Sequence, residues 1–463
     1  MTRTSRLAIV GLVAAGCVVM VATRAFLFGE ASEVLVDTLE HGVGYRVEIA
    51  RLMWRPASWL PILPMIGLSY VTSELRPLVY AFGIGHALIP VLATAGVVWA
   101  LRHRDESAGA MAVMGVTLLG LVAPVFVASG QIWVAQLFWV VLAGIVNWDS
   151  HPRWRAGTLV LAVLLLAWSP VAAAHVGATG VFLMARAMWP GDRHVARFRL
   201  GAAFAAAALL RAFAILFSSE FVRVSDPNHP SLAKLLATLS HPHGGWMVAY
   251  FVAIVAAAAC LAARRRWSGW LAIGLVCLSA LALAGFWQAT GVEAVSEGTL
   301  FLAWIVCAAP VMHALFLHTA LRTPAPSTFP SFPVRALGML CAAVFVCVVG
   351  RASFRIAAMT DDVHAWAARQ ADVCIAAQDV PSPWTRGLGG NYDGFEYIFL
   401  ASSDSSTVRR VVLAGDDCQR VCESPEGDPH PLFWLDLSNG IRPPSVARDA
   451  TACPLTGVLN ERR

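Results

Sequence analysis

The chain has 463 residues, of which 58% are hydrophobic and only 14% charged, with a formal net charge of +5. A soluble fold of this composition would expose large apolar patches, so a water-soluble globular class is excluded. The basic surplus needs no nucleic-acid partner, because most of the arginines stand in short gaps between long apolar runs, where they suit a membrane surface.

The runs are too long for barrel strands, and a backbone in lipid must satisfy its own hydrogen bonds, so helices are expected. Short arginine-rich gaps alternate with arginine-poor ones. The basic gaps hold Arg3 and Arg6; Arg102 and Arg104; Arg153 and Arg155; Arg193, Arg197 and Arg199; Arg264, Arg265 and Arg266; Arg322 and Arg335. An Arg/Lys excess marks the cytoplasmic side. The consistent solution is an all-α polytopic membrane protein of about eleven spans, with the N-terminus inside and the C-terminus outside. The expected spans are 7–28, 79–101, 108–128, 131–147, 157–175, 176–190, 200–218, 245–263, 268–288, 299–320 and 335–352. Residues 1–352 then form the membrane domain.

The first run, Leu7 to Phe28, follows Arg3 and Arg6 as a signal peptide would. It is too long for a signal-peptide core and no clear small-residue cleavage site follows, so it reads as an uncleaved span. A long outer loop, 29–78, comes next, and loops of that length usually have a job. In it Glu30, Glu33, Asp37 and Glu40 recur at helical spacing and share one stripe with His41. A second amphipathic piece follows Gly42-Val43-Gly44: Tyr45, Ile49, Leu52 and Met53 make its apolar face, with Arg46, Glu48, Arg51 and Arg55 largely away from it. Trp54 and Trp59 suit the headgroup layer. The apolar stretch 59–71 is short and holds Pro61 and Pro64. A span there would turn every later arginine gap outward, so it reads as interfacial or re-entrant.

Tight hairpins are expected at Ala128-Ser129-Gly130-Gln131 and around His175-Val176-Gly177. A second outer loop, 219–245, carries Arg223, Asp226, His229, Lys234, His241 and His243. Cations and histidines beside a membrane are what a lipid phosphate needs; an ordinary solvated loop is the other reading. Inside the spans stand Arg24, His86, Arg186, Arg211, His313, His318 and Arg351. Ionisable groups in lipid often line a cavity, and those near span ends snorkel. His86 is the most interior, just before Pro90. His313 and His318, five residues apart, do not share a face well enough to make a metal pair.

The tail, 353–463, is richer in Asp, Ser, Gly and Pro. His364 to Ala377 reads as helix, and Tyr397 to Leu400 and Val408 to Leu413 read as strands, so a small α/β outer domain is expected. Six cysteines, Cys17, Cys260, Cys277, Cys307, Cys341 and Cys347, lie in apolar spans and read as small hydrophobes. Cys374, Cys418, Cys422 and Cys453 lie in the tail and suggest two disulfides in an oxidising compartment. Three pairings are open. A four-cysteine zinc site is the rival, weakened by the loose Cys418-x3-Cys422 spacing.

Acids on an outer loop serve solubility, yet a carboxylate at the membrane surface would also serve as general base on a hydroxyl or hold a divalent metal. Asp37, central in the stripe, is the first choice. The layout resembles the GT-C superfamily of integral-membrane glycosyltransferases: a first span, a long outer loop with interfacial helices, many further spans and an outer C-terminal domain. That family's catalytic acid lies in the first outer loop, here Glu30 to His41, and Tyr45 to Trp54 is similar to the amphipathic stretch of aminoarabinose and protein-mannosyltransferase relatives. The hairpin from Pro124 to Trp139 is also similar. The acids here are spread out where the family has an adjacent pair.

The resemblance implies a bacterial inner-membrane enzyme that moves a sugar from a polyprenyl-phosphate carrier to a glycan or lipid acceptor on the periplasmic face. Asp37 would be the base, with Glu30 or Glu40 as substitutes, and Arg46, Arg51, His241 and His243 would meet the phosphate. The rival is a non-enzymatic transporter or flippase for an envelope lipid or glycan, centred on His86 and Arg211. A third reading is a structural envelope protein whose tail binds a partner.

Overall fold

A computed structural model describes residues 2–27, 35, 60–72, 75–119, 130–189, 195–216, 244–263, 265, 267–290, 308–321, 331–369, 374–376 and 411–413. The described residues are almost entirely helical. In chain order the helices are α1 (Arg3–Ala22), α2 (Leu63–Ser69), α3 (Leu75–Ala100), α4 (Glu106–Leu119), α5 (Gly130–Val146) and α6 (Pro152–Trp168). They continue as α7 (Val171–Ala187), α8 (Val195–Leu216), α9 (Gly244–Ala263), α10 (Ser268–Thr290), α11 (Ala309–Ala320) and α12 (Ser331–Arg369). Five of them, over Arg3–Ala22, Arg76–Ala100, Val195–Leu216, Ser268–Gly285 and Phe332–Asp362, are long and apolar enough to cross a membrane.

Their outer faces fit lipid. On α8, Leu209 is 72% exposed, Leu210 71% and Phe213 60%. α6 likewise turns Val160 and Val163 outward. Such surface suits hydrocarbon and would be a liability in water. α5 is the opposite case. Trp133, Val134, Ala135, Phe138, Trp139, Val141, Leu142 and Ala143 are all buried, so apolar residues all around the helix mark it as the interior one. It packs against α3, α4, α6, α7 and α11.

Close packing rests on small residues. A Cβ on Gly180 of α7 would meet the Gly201 carbonyl of α8 at 2.7 Å, and a Cβ on Gly201 would meet the Gly180 carbonyl at 2.7 Å. The two backbones touch, as small residues permit between helices in lipid. Gly144 of α5 faces Thr158 of α6 with no room for a Cβ, and Gly96 of α3 rests on Val140 of α5 at 3.3 Å.

Polar bonds gather several basic gaps at one end of the bundle. Arg104 donates from Nη2 to the Val146 carbonyl at 2.8 Å and from Nε to Asn147 Oδ1 at 3.2 Å, which ties the α3–α4 turn to the end of α5. Asn147 Nδ2 donates to the Ala100 carbonyl at 2.9 Å. Arg335 of α12 pairs with Glu106 of α4 at 2.8 Å. Arg6, Arg102, Arg104, Asp105 and Glu106 line one small cleft there.

Three sequence expectations need correction. The joint expected at His175–Gly177 lies at Ser169–Pro170. α7 runs unbroken through His175, and Ser169 is extended, with φ −147° and ψ 144°. Proline lacks an amide donor and keeps the residue before it out of the helical region, so the break falls there. The helix that carries the last expected span does not stop at 352. α12 is 39 residues long, about 58 Å at the α-helical rise, or nearly twice a bilayer's hydrocarbon thickness of roughly 30 Å. It carries Arg351, Arg355, Asp361 and Asp362, all exposed, on its later half. The helix expected over His364 to Ala377 is met only to Arg369, as the end of α12, and Cys374–Ala376 is a strand, β1. β1 pairs in parallel with β2 (Val411–Leu413), Cys374 opposite Val411. A β-branched run finds cross-strand partners, and such tertiary context overrides local helix tendency.

The glycine crossing gives the first test. Gly180→Leu should destabilise the protein by about 1–3 kcal/mol by forcing α7 from α8. Gly157→Ala on α6, where a Cβ has open space, should be neutral or gain up to about 1 kcal/mol. Thermal unfolding in detergent separates the two, and equal losses would defeat the crossing.

Candidate functional site

The segment expected as the first outer loop is described at its two ends and at Leu35. Past α1, the chain turns at Arg24, whose φ of 56° is the left-handed conformation that ends helices. It then forms a 3-10 turn over Ala25–Leu27. The Phe26 ring lies against Gly83 of α3 so closely that a Cβ there would overlap it. At the far end, the 3-10 turn Leu60–Ile62 leads into α2, and the Pro61 carbonyl sits where a Cβ of Gly85 would be. Both ends therefore dock within one turn of α3. Between them, Leu35 is fully buried and belongs to the main core. The ten-residue stretch Leu60–Ser69 is helical, short and packed on α3.

From that anchor a row of rings leads inward. Phe26 lies 6.1 Å from Phe82, Phe82 4.3 Å from His86, and His86 6.3 Å from Trp133 of α5, centroid to centroid. His86 is buried, and its Nδ1 lies 2.9 Å from the Phe82 carbonyl. A carbonyl only accepts, so Nδ1 carries the hydrogen and Nε2 is left to accept or to take another partner.

Deeper in the bundle three rings from three helices meet. His175 of α7 and His313 of α11 are 5.1 Å apart, and Phe138 of α5 lies 5.4 Å from His175 and 5.0 Å from His313. Trp139 meets His313 edge-on at 5.0 Å. His175 and His313 are fully buried, and neither ring nitrogen of either has a hydrogen-bond partner. Each orphaned buried polar group costs about 1–3 kcal/mol. Some polar groups here reach a carbonyl: Gln136 Nε2 donates to Val116 at 3.0 Å and the Tyr250 hydroxyl to Leu118 at 2.6 Å, whereas Gln136 Oε1 and the Trp139 indole nitrogen have no partner.

Glu30, Asp37 and Glu40, Arg46 and Arg51, and His241 and His243 lie outside the described residues, as do Cys418, Cys422 and Cys453. Cys374 opens β1. Arg186 reaches from α7 to the His318 carbonyl of α11 at 3.3 Å, and Arg351 is exposed on α12. No group of three or more metal-type side chains occurs among the described residues. The histidine pair escaped sequence reading because a joint was expected at His175 and because His313 was weighed only against its neighbour His318. Pro170 was the signal that would have moved the joint and left His175 inside a span, where an ionisable side chain is a site candidate.

Trp139 walls this pair and rests on α4, where its indole occupies the place a Cβ of Gly115 would need. Gly115→Ala should therefore cost about 1–3 kcal/mol, and adding Trp139→Phe should recover part of the loss. A double-mutant cycle by thermal unfolding reads the coupling; strict additivity would mean that the two residues do not touch.

No family model, curated protein or solved structure shows significant similarity to the chain.

Proposed function

We propose that the chain is a polytopic membrane glycosyltransferase of GT-C type, acting outside the cell membrane on a polyprenyl-phosphate-linked sugar. The observation that carries this reading is the anchored first loop. Its ends dock at one level of α3, at Gly83 and Gly85 on different faces of that helix, and Leu35, set between Glu33 and Asp37, is buried in the core. In this reading the acids of that segment act near the ends of α1 and α3, where a lipid-borne donor would arrive laterally from the bilayer.

In this reading Asp37 takes the proton of an acceptor hydroxyl as the oxygen attacks the anomeric carbon. The bond from that carbon to the carrier phosphate breaks, and polyprenyl phosphate leaves with the electron pair. Glu30 and Glu40 stand by in the same stripe. Arg46, Arg51, His241 and His243 meet the phosphate, where cationic donors are strongest. A divalent metal held by the acids would serve the same charge.

The wider architecture belongs to the same proposal: about eleven spans, an inner-membrane location, basic gaps facing the cytoplasm, and residues 353–463 as an outer domain cross-linked by Cys374, Cys418, Cys422 and Cys453. The gathering of Arg6, Arg102, Arg104 and Arg335 at one end of the bundle supports that orientation. The rival transporter reading draws on buried His86 and on Arg211.

Asp37→Asn should lower glycan transfer about 10²–10⁴-fold, the usual worth of a general base, with membrane insertion intact. Glu30→Gln, Glu33→Gln and Glu40→Gln are the controls. Full activity in all four variants would sink the catalytic reading and turn attention to His86→Ala and Arg211→Ala.

Reporter fusions should place Asp105, Arg193 and Arg265 in the cytoplasm and Asp226 and the tail outside. Thiol labelling of the denatured, unreduced protein should find no free cysteine in the tail. A cytoplasmic tail would overturn the orientation and the disulfides together.

A further inference from the structure

We propose that His175 and His313 form a buried site for a single monovalent copper ion, held by one nitrogen of each imidazole. This site is separate from the outer loop and does not depend on the transferase reading.

Three observations converge on it. The first is geometric. Two imidazoles that share one metal at about 2.0 Å have their ring centroids roughly 5 Å apart when the nitrogen–metal–nitrogen angle is bent towards the tetrahedral value. The observed separation is 5.1 Å. The rings come from α7 and α11, so the helix packing sets this spacing rather than any local turn.

The second observation is the missing partners. Both side chains are fully buried, and none of their four ring nitrogens has a hydrogen-bond partner. Buried polar groups nearly always have one, and each exception asks for an explanation such as an ion. A coordinated metal uses a lone pair on each ring. Elsewhere Asn147 and Tyr250 find carbonyls, and where a buried side chain such as Gln136 leaves one atom unpartnered its other end is bonded; in His175 and His313 both ring nitrogens are open.

The third observation selects the ion. No third histidine, cysteine or carboxylate joins the pair among the described residues. The described donors are neutral, and the described walls are the aromatic rings of Phe138 and Trp139. An uncompensated charge in such surroundings is expensive and rises steeply with valence. Zinc and other divalent ions would arrive with two charges and no counter-anion. Copper(I) brings one and favours imidazole and thioether donors, and further donors beside the two rings give it the bent angle. Thioethers are at hand nearby: Met312 is next to His313 on α11, and Met111 and Met114 lie on α4, which packs against α11; all three are fully buried. Binding needs no redox step and releases no proton, because each neutral ring offers a lone pair already free.

The test uses the full chain in detergent. Protein from copper-supplemented cells is purified under reducing, anaerobic conditions, and its metals are measured against a copper(I)-specific chelator and against added zinc. The expected result is one tightly held copper per chain, with an X-ray absorption edge of copper(I) and imidazole scattering at about 2 Å. His175→Phe and His313→Phe keep a ring in place and remove the donor. Each should weaken copper binding by at least about 100-fold, the upper end of what loss of a supporting ligand contact does, with thermal stability unchanged or raised. Copper absent from the wild-type protein, zinc retained in its place, or copper held equally by both variants would each overturn the proposal. The absorption spectrum of the wild type decides even if a variant fails to fold.

Discussion

Helices that share lipid as solvent gain nothing by hiding apolar side chains from one another, so they must hold by contact. In this chain contact depends on Cβ atoms that are not there. Gly180 and Gly201 let α7 and α8 touch backbone to backbone. Gly115 makes room for the Trp139 indole, and Trp139 in turn walls His313. Gly83 and Gly85 seat the two ends of the first loop on α3. The bundle, the histidine pair and the loop anchor therefore draw on one device.

Close approach also decides how polar groups fare. Where helices meet through a long side chain, a polar tip finds a carbonyl at a helix end or in its own turn. Asn147 reaches Ala100, Tyr250 reaches Leu118, and His86 turns back to Phe82. His175 and His313 sit mid-helix opposite one another, against Phe138, with regular helix on every side. Neither ring reaches a helix carbonyl, although such carbonyls accept a second bond elsewhere, as Phe82 does from His86. Their nitrogens are left open to a guest.

Much of the helical plan was legible from sequence, because a span announces itself by length and apolarity alone. The bounds of α5 and α10 lie within a few residues of those read from composition. Punctuation was harder. Gly177 resembled a joint and is instead a contact, 3.2 Å from Ala208 if it bore a Cβ, whereas Pro170 is the real break. Glycine in a membrane helix more often serves packing than turning, and a single sequence does not say which. The exit from the last span was missed for a related reason. Charges at Arg351 and Arg355 end the apolar run, but they do not end the helix, since a helix leaving lipid loses none of its own hydrogen bonds. The meeting of His175 with His313 has no local signature at all: 138 residues separate the two, and only the packing of α7 on α11 joins them.

The two candidate centres also differ in kind, and the difference follows from where each sits. In the proposed reading the acids of the first loop lie beside water, exchange protons and meet a charged carrier without heavy desolvation. The docking of Phe26 and Pro61 on α3 fixes the two described ends of that loop. The histidine pair has no such exchange. It lies among rings, and whatever it holds must be weakly charged and slow to leave. A row of aromatic side chains, Phe26, Phe82, His86 and Trp133, runs from the first centre towards α5. α5 then carries Phe138 and Trp139 to the second. Since α5 is packed on every side, a shift at one centre cannot be absorbed by loose neighbours.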